Sequence, residues 1–257
     1  MLRPGALGDT LLAVPALRAL GRKFGPVRLA AHGATARLLA ALGEVACGMA
    51  FDDPSLDWVF HGPPTDEPLV AWMSARDAPG LRNALVVAPS RPAREQHCAE
   101  YLLETIAPLG LDTRLDARPL SVSHRRTDEV VVHPGSGSPA KNWPATRFAE
   151  VIAALNAPVR LIVGEADADA ACAVEASLGH PLARLEQPPL HELAARLAGC
   201  RAYVGNDSGV SHLAGLCGTR TVVLFGPTSP IVWRPLGPDV HVLSFRATTS
   251  EVIALLG

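Results

Sequence analysis

Apolar residues recur along this chain in two rhythms. Ala13, Ala16, Leu17, Leu20 and Phe24 stand at i, i+3, i+4, i+7 and i+11, which predicts an amphipathic helix over residues 13–24. A short apolar run at 27–31 reads as a strand. Residues 33–43 read as a helix that closes on Gly43. Runs at 45–51, 69–73 and 84–88 are short enough for buried strands, and 92–110 contains a longer helix with Tyr101, Leu102, Thr105 and Leu109 on one side.

Further along, strand and helix alternate more regularly. Strands are predicted over 129–133, 159–164, 182–185, 201–205, 221–225 and 241–245. Helices are predicted over 144–156, 166–178, 190–198, 207–217 and 249–256, with Pro144 suited to a first helical turn. Such alternation argues for right-handed βαβ units around a parallel sheet. The polar stretch 110–126 carries Arg114, Arg118, Arg125 and Arg126 and reads as a linker. The expectation is two Rossmann-like domains, 1–120 and 127–257, with a cleft between them.

Composition narrows the function classes. Over 257 residues, 48% apolar and 19% charged exclude a disordered chain. A net charge of −2 leaves no basic footprint, and 5% aromatics offer no base-stacking platform, so no nucleic-acid partner is expected. No run approaches 18 apolar residues, and the opening Met1-Leu-Arg-Pro-Gly has no signal-peptide pattern. Five widely spaced cysteines without a CxxC pair read as reduced thiols in a cytoplasmic protein. The histidines form no H-x-x-x-H pair and no Cys/His cluster has zinc spacing, so no metal site is expected.

Chemistry in such sheets sits where strands end and helices begin. Four loops qualify. Pro4-Gly-Ala-Leu-Gly-Asp9 turns on Gly5 and Gly8 and places Asp9 at a helix start, as a cap or as a catalytic carboxylate. His133-Pro-Gly-Ser136-Gly137-Ser138-Pro-Ala-Lys141 can turn N–H groups and hydroxyls toward an anion, with Lys141 adding a charge, although Ala140 and Asn142 rule out a Walker A loop. Its ordinary reading is a flexible turn with a solvated lysine. In Gly205-Asn-Asp207-Ser208-Gly209-Val-Ser-His212 a strand gives way to a helix start free of bulky side chains, suited to a diphosphate. His212, one turn in, reads alternatively as a packing histidine. Phe225-Gly-Pro-Thr228-Ser229 follows the next strand, as a plain turn or as hydroxyls facing the same pocket. Asp167-Ala-Asp169 would hold a divalent cation on a nucleotide diphosphate, but reads better as two acids in the first turn of a solvated helix beside Glu165 and Glu175.

Taken in order, Arg3-Pro-Gly-Ala-Leu-Gly-Asp-Thr-Leu-Leu, His133-Pro-Gly-Ser with Lys141-Asn-Trp-Pro, and Gly205-Asn-Asp-Ser-Gly-Val-Ser-His with Leu224-Phe-Gly-Pro-Thr resemble glycosyltransferase family 9, the ADP-heptose:lipopolysaccharide heptosyltransferase-like proteins. The resemblance implies an α/β GT-B architecture, with the acceptor on the first domain and the nucleotide sugar on the second. It implies inverting transfer of a heptose-like sugar from an ADP-sugar, with no cofactor and no essential metal, to a glycan or lipid-linked lipopolysaccharide-type acceptor. The protein would be cytoplasmic, soluble or peripheral at the inner membrane. Asp9 matches the family's general base, and Lys141 a lysine that contacts the donor phosphates and shares the catalytic work. Ser136, Gly137, Ser138, Asp207, Ser208, Gly209, His212 and Thr228 fall in the donor-binding loops. The chain departs from the pattern in having only Met1 and Leu2 before Arg3, where the family carries a full strand, and in a short acceptor-side segment at 63–83. The alternative is a non-catalytic nucleotide-sugar-binding protein or partner subunit. A Rossmann oxidoreductase finds no G-x-G-x-x-G in the right place.

Overall fold

The computed structural model describes residues 1–73 and 78–257; residues 74–77 of the 63–83 segment lie outside the described residues. The chain divides into two compact units, Met1–Ala117 and Arg118–Gly257.

The first unit runs α1 (Leu7–Leu11), α2 (Val14–Phe24), β1 (Arg28–Ala31), α3 (Gly33–Ala41), β2 (Cys47–Ala50), α4 (Trp58–His61), β3 (Val70–Trp72), β4 (Val86–Ala88) and α5 (Cys98–Ile106). β1 pairs with β2 and β3 with β4, all parallel. Met1–Arg3 joins the two pairs. The Leu2 N–H donates to the Val70 carbonyl and the Trp72 N–H to that of Leu2, while the Arg3 N–H donates to Ala30 and the Ala30 N–H to Met1, all at 2.8–3.0 Å. Leu2 thereby bridges Ala30 of β1 and Ala71 of β3, between the two pairs of strands. Helix α2 buries Val14, Ala16, Leu17, Ala19 and Leu20. Its Arg18 is also buried, and is bound to Glu44 at 2.6 Å and to Asp116 at 3.3 Å. Gly48 allows the close approach of β2 to α3, because a Cβ there would lie 2.0 Å from the Ala36 carbonyl oxygen.

The second unit runs β5 (Val130–His133), α6 (Ala145–Ala154), β6 (Val159–Val163), α7 (Ala168–Leu178), β7 (Ala183–Glu186), α8 (Leu190–Gly199), β8 (Ala202–Asn206), α9 (Gly209–Leu216), β9 (Thr221–Phe225), α10 (Pro230–Trp233), β10 (Val240–Ser244) and α11 (Thr249–Leu256). Its six strands are parallel in the order β10-β9-β8-β5-β6-β7. β5, β8 and β9 are buried along their whole length, the continuous apolar pattern of strands covered on both faces. Val130, Val132, Val204 and Leu224 pack with Trp143, Phe148, Val151 and Leu161, each burial contributing about 1.5–3 kcal/mol for a full-sized side chain. The chain leaves β5 toward β6 and β7 on one side and returns through β8 to β9 and β10 on the other. The order therefore reverses between β5 and β8, and the carboxyl ends of such a switch point are where ligands bind in open parallel sheets.

The division between the units falls inside the 110–126 stretch, whose polar groups find partners in the units themselves. Asp116 binds Arg18 in the first unit, whereas the Leu120 N–H donates to the Leu216 carbonyl and the Thr127 N–H to that of Gly199 in the second. The helix expected within 92–110 begins only at Cys98, and its last turn tightens over Ala107–Leu109 before Gly110 adopts a left-handed conformation at φ 69°. The Met1–Arg3 pairing and the short helices α1, α4 and α10 carry too few residues to show a period.

Candidate functional site

The loops after β5 and β8 meet beyond the carboxyl ends of these strands, and Asn206 joins them. This fully buried amide ends β8. Its Nδ2 donates to the Pro134 and Gly135 carbonyls at 2.8 and 3.3 Å, and its Oδ1 accepts the Trp143 N–H at 2.8 Å. Both ends of the 134–142 loop are thereby tied to the strand beside it. Within the loop, Ser136 is buried, its hydroxyl 2.7 Å from both the Ser138 carbonyl and the Asn142 side-chain oxygen. The Ser138 N–H donates back to Ser136 Oγ at 3.3 Å. Ser136 therefore shapes the loop. Gly137 faces open space, where even a Cβ would touch nothing within 4 Å.

Lys141 closes the same loop and reaches across to β8. Its Nζ lies 3.3 Å from Asp207 Oδ2, and Thr228 donates to that oxygen at 2.8 Å from the loop after β9. Lys141, Asp207 and Thr228, three residues far apart in sequence, are brought together at one place. Ser208 is the N-cap of α9, its hydroxyl accepting the Ser211 N–H at 3.4 Å. Gly209 begins the helix, and His212 is buried one turn in. The first turn of α9 leaves backbone N–H groups, the positive end of a helix dipole and a lysine charge in one neighbourhood, the arrangement that suits a phosphate.

Asp167 corrects the reading of the Asp-x-Asp pair. Asp169 is exposed in the first turn of α7, but Asp167 is buried and points away from solvent. Its Oδ2 lies 2.8 Å from His133 Nε2 and accepts the Gly164 N–H at 3.0 Å. Burial pushes this carboxyl up, yet the hydrogen bond and charge of His133 and the Gly164 N–H outweigh it and hold it below the ordinary range. The other His133 nitrogen, Nδ1, lies 3.2 Å from Ser208 Oγ. The expected solvated face is wrong for Glu175 too, whose side chain is ion-paired with Arg184 and largely buried. Among the described residues no group of three or more His, Cys, Asp or Glu could hold a metal ion.

In the first unit, Asp9 is the third residue of α1, not its cap. Its carboxylate reaches back to accept the Ala6 N–H at 3.2 Å and remains 35% exposed. Arg3 lies behind it, fully buried, with Nη2 3.1 Å from the Asp9 carbonyl and 3.8 Å from its carboxylate. Burial draws the Arg3 guanidinium down, with Cys98 and Asp9 opposing. A pocket of about 450 Å³ opens beside this loop, lined by Pro4, Gly5, His32, Gly33, Arg37 and Asp52 among others. A larger cavity of about 700 Å³ beside Met1, Leu20, Phe24, Trp58 and Leu69 shares no residue with these loops.

The sequence model of glycosyltransferase family 9 (heptosyltransferase) matches residues 86–252, which take in all the loops of the second unit. The chain belongs to this family. Lipopolysaccharide heptosyltransferase 3 of Escherichia coli is 30% identical over 170 residues, covering 56% of this chain and 48% of that protein. The chain thus spans about half the length of that curated relative. The solved family 9 glycosyltransferase of Veillonella parvula superposes with a TM-score of 0.80 at 17% identity, over 99% of this chain and 96% of the other. The E. coli ADP-heptose lipopolysaccharide heptosyltransferase II gives 0.76 at 19% identity, over 99% and 98%. The fold is accordingly the GT-B architecture, each Rossmann-like unit built on a parallel sheet.

Sequence reasoning gave Asn206 no role of its own, and it read Asp167 as a helix-start acid and His133 as the head of the Gly/Ser loop without foreseeing that the two pair. A signal was present for Asn206: an amide ending the apolar run Ala-Tyr-Val-Gly-Asn must find partners for its oxygen and its NH2 once buried.

Proposed function

We propose that this protein is an inverting glycosyltransferase that moves a heptose-like sugar from an ADP-sugar to a hydroxyl of a glycan or lipopolysaccharide-type acceptor. Family membership supports the reaction class. The observation that carries the donor assignment is the convergence of Lys141, Asp207, Thr228 and the N-terminus of α9 at the switch point of the second sheet.

In this reading the second unit takes the nucleotide sugar and the first the acceptor. The acceptor hydroxyl gives its proton to Asp9 as its oxygen bonds to the anomeric carbon. The bond from that carbon to the diphosphate breaks on the opposite face, and the electron pair leaves with the nucleoside diphosphate. Lys141 and the backbone N–H groups of the first turn of α9 stabilise the charge that develops there, with no metal required. Lys141 exchanges its contact with Asp207 for the phosphates, and Thr228 keeps the Asp207 carboxylate hydrogen-bonded when it does. Gly137 and Ser138 offer N–H groups from the facing loop, and His212 packs under the helix turn that Gly209 opens. The 450 Å³ pocket beside the Asp9 loop has the mixed charge of Arg37 and Asp52 and suits a polyhydroxylated acceptor. The protein would work at the cytoplasmic face of the inner membrane, free or peripheral.

The test is transfer from ADP-heptose to lipopolysaccharide cores, with donor hydrolysis followed in parallel. Asp9→Asn keeps the side chain's size and a hydrogen-bond acceptor for Ala6 but cannot take a proton. Turnover should fall roughly 10²–10⁴-fold with donor affinity unchanged. Full activity in this variant would remove Asp9 from the reaction. A wild type that binds the donor but never consumes it would favour a binding protein instead.

A further inference from the structure

Arg3 is wholly out of solvent, yet among the described residues its Nε and Nη1 have no hydrogen-bond partner. Buried polar groups are ordinarily paired, because an unpaired one forfeits the hydrogen bonds that water would supply. Only Nη2 is engaged, by the Asp9 carbonyl at 3.1 Å. We propose that Arg3 is a positioning residue for Asp9: its charge holds the carboxylate while Oδ1 stays open to take the proton of the acceptor hydroxyl. The inference rests on the reading of Asp9 as the general base.

The two carboxylate oxygens differ in their surroundings. Oδ2 accepts the Ala6 N–H at 3.2 Å. Oδ1 lies 3.8 Å from Arg3 Nη2, beyond hydrogen-bond reach, and no other described residue donates to it. Close packing limits where the side chain can turn. A Cβ on Gly5 would lie 2.9 Å from Asp9 Cβ and 3.5 Å from Oδ2, so the chain presses directly against this carboxylate.

The charge of Arg3 is directed at Asp9 and at nothing else nearby. The other titratable groups that act on it are Cys98 and Tyr101. Burial pushes the Cys98 thiol up to about 11 and raises the Tyr101 phenol as well, so both stay uncharged at neutral pH. Asp9 is thus the one anion acting on Arg3 among the described residues. Charge attraction falls only as the inverse of distance, and water screens it little at the buried guanidinium. A hydrogen bond from arginine at about 2.8 Å would occupy a lone pair of Oδ1. A charge at 3.8 Å orients the carboxylate and leaves that lone pair free. The acceptor proton then passes to Oδ1 as the acceptor oxygen bonds to the anomeric carbon and the diphosphate leaves with the electron pair.

Two substitutions separate charge from simple anchoring. Arg3→Lys keeps a cation, whereas Arg3→Gln keeps a neutral donor for the Asp9 carbonyl. Transfer from ADP-heptose to lipopolysaccharide cores, ADP affinity and thermal melting are measured for both, for Asp9→Asn, and for Arg3→Gln combined with Asp9→Asn. Arg3→Gln should lower kcat about 10–100-fold, the scale of a misplaced catalytic group, with acceptor KM and ADP affinity unchanged. Arg3→Lys should recover most of that loss. In the Asp9→Asn background, Arg3→Gln should cost nothing further. Should Arg3→Gln fail to fold, the Arg3 Nε–H resonance by ¹⁵N NMR decides the matter in the native sequence: it should move when Asp9 is replaced by Asn. Wild-type kcat in Arg3→Gln, an equal loss in both backgrounds, no rescue by lysine, or an unmoved Nε–H resonance would each overturn the inference while leaving Asp9 as the base. Full activity in Asp9→Asn, or a wild type that consumes no donor, would overturn the reading of Asp9 itself, and this inference with it.

Discussion

Asp167 shows how far one residue can depart from its local pattern. In sequence it belongs to an acidic helix start, and the helix dipole alone accounts for such a residue. In space its partners come from β5 and from the end of β6, contacts that no spacing along the chain reveals. Its environment makes a definite prediction about acid stability. The folded-state carboxyl is held below its unfolded value, so the stabilisation is complete above about pH 4, the ordinary aspartate value, and is lost as pH falls through the lower folded value. Unfolding free energies from urea melts between pH 7 and pH 2 should therefore show Asp167→Asn less stable than wild type above pH 4, with the gap narrowing below it. A gap that stays constant to pH 2 would mean that the pair does not hold Asp167 ionised. Asp9 illustrates the opposite case. Its position at a helix start could be read from the chain, and the structure moves it only from the cap to the third residue, where it bonds the N–H of Ala6.

Elements were more legible than contacts. The strands of the second unit fall within a residue or so of their apolar runs, because β-branched residues in short runs leave few other options. Helices α7 and α9 each begin two residues later than patterning predicts, because the residues before them are N-caps and turns rather than helix. What patterning cannot show is which loops touch. The loops after β5 and β6 converge on Asp167 only because the sheet places those strands side by side, and glycine is what lets them close. Gly135→Ala should consequently cost about 1–3 kcal/mol through overpacking against the carboxylate, measured by thermal melting. Gly137→Ala in the same loop meets no neighbour and should melt close to wild type. Equal melting temperatures for the two variants would contradict the close approach at Gly135.

At the scale of the molecule, the second unit was the more readable, with a single six-stranded sheet and the loops that carry the family's motifs. The first unit depends on Met1–Arg3, too short to show a period, to join two pairs of strands. Burial of Cys98 pushes its thiol up to about 11, and that of Cys200 and Cys217 to about 12, so these buried thiols stay protonated at neutral pH. The proposed reaction depends on the second unit holding a nucleoside diphosphate where Lys141 meets Asp207. Calorimetric titration of ADP in EDTA, in wild type and Lys141→Ala, tests this most directly. Wild type should bind without added metal, and the alanine variant should lose about 1–3 kcal/mol, the value of a charge-assisted hydrogen bond. Binding that requires a divalent cation, or an affinity unchanged by loss of the lysine, would contradict the account.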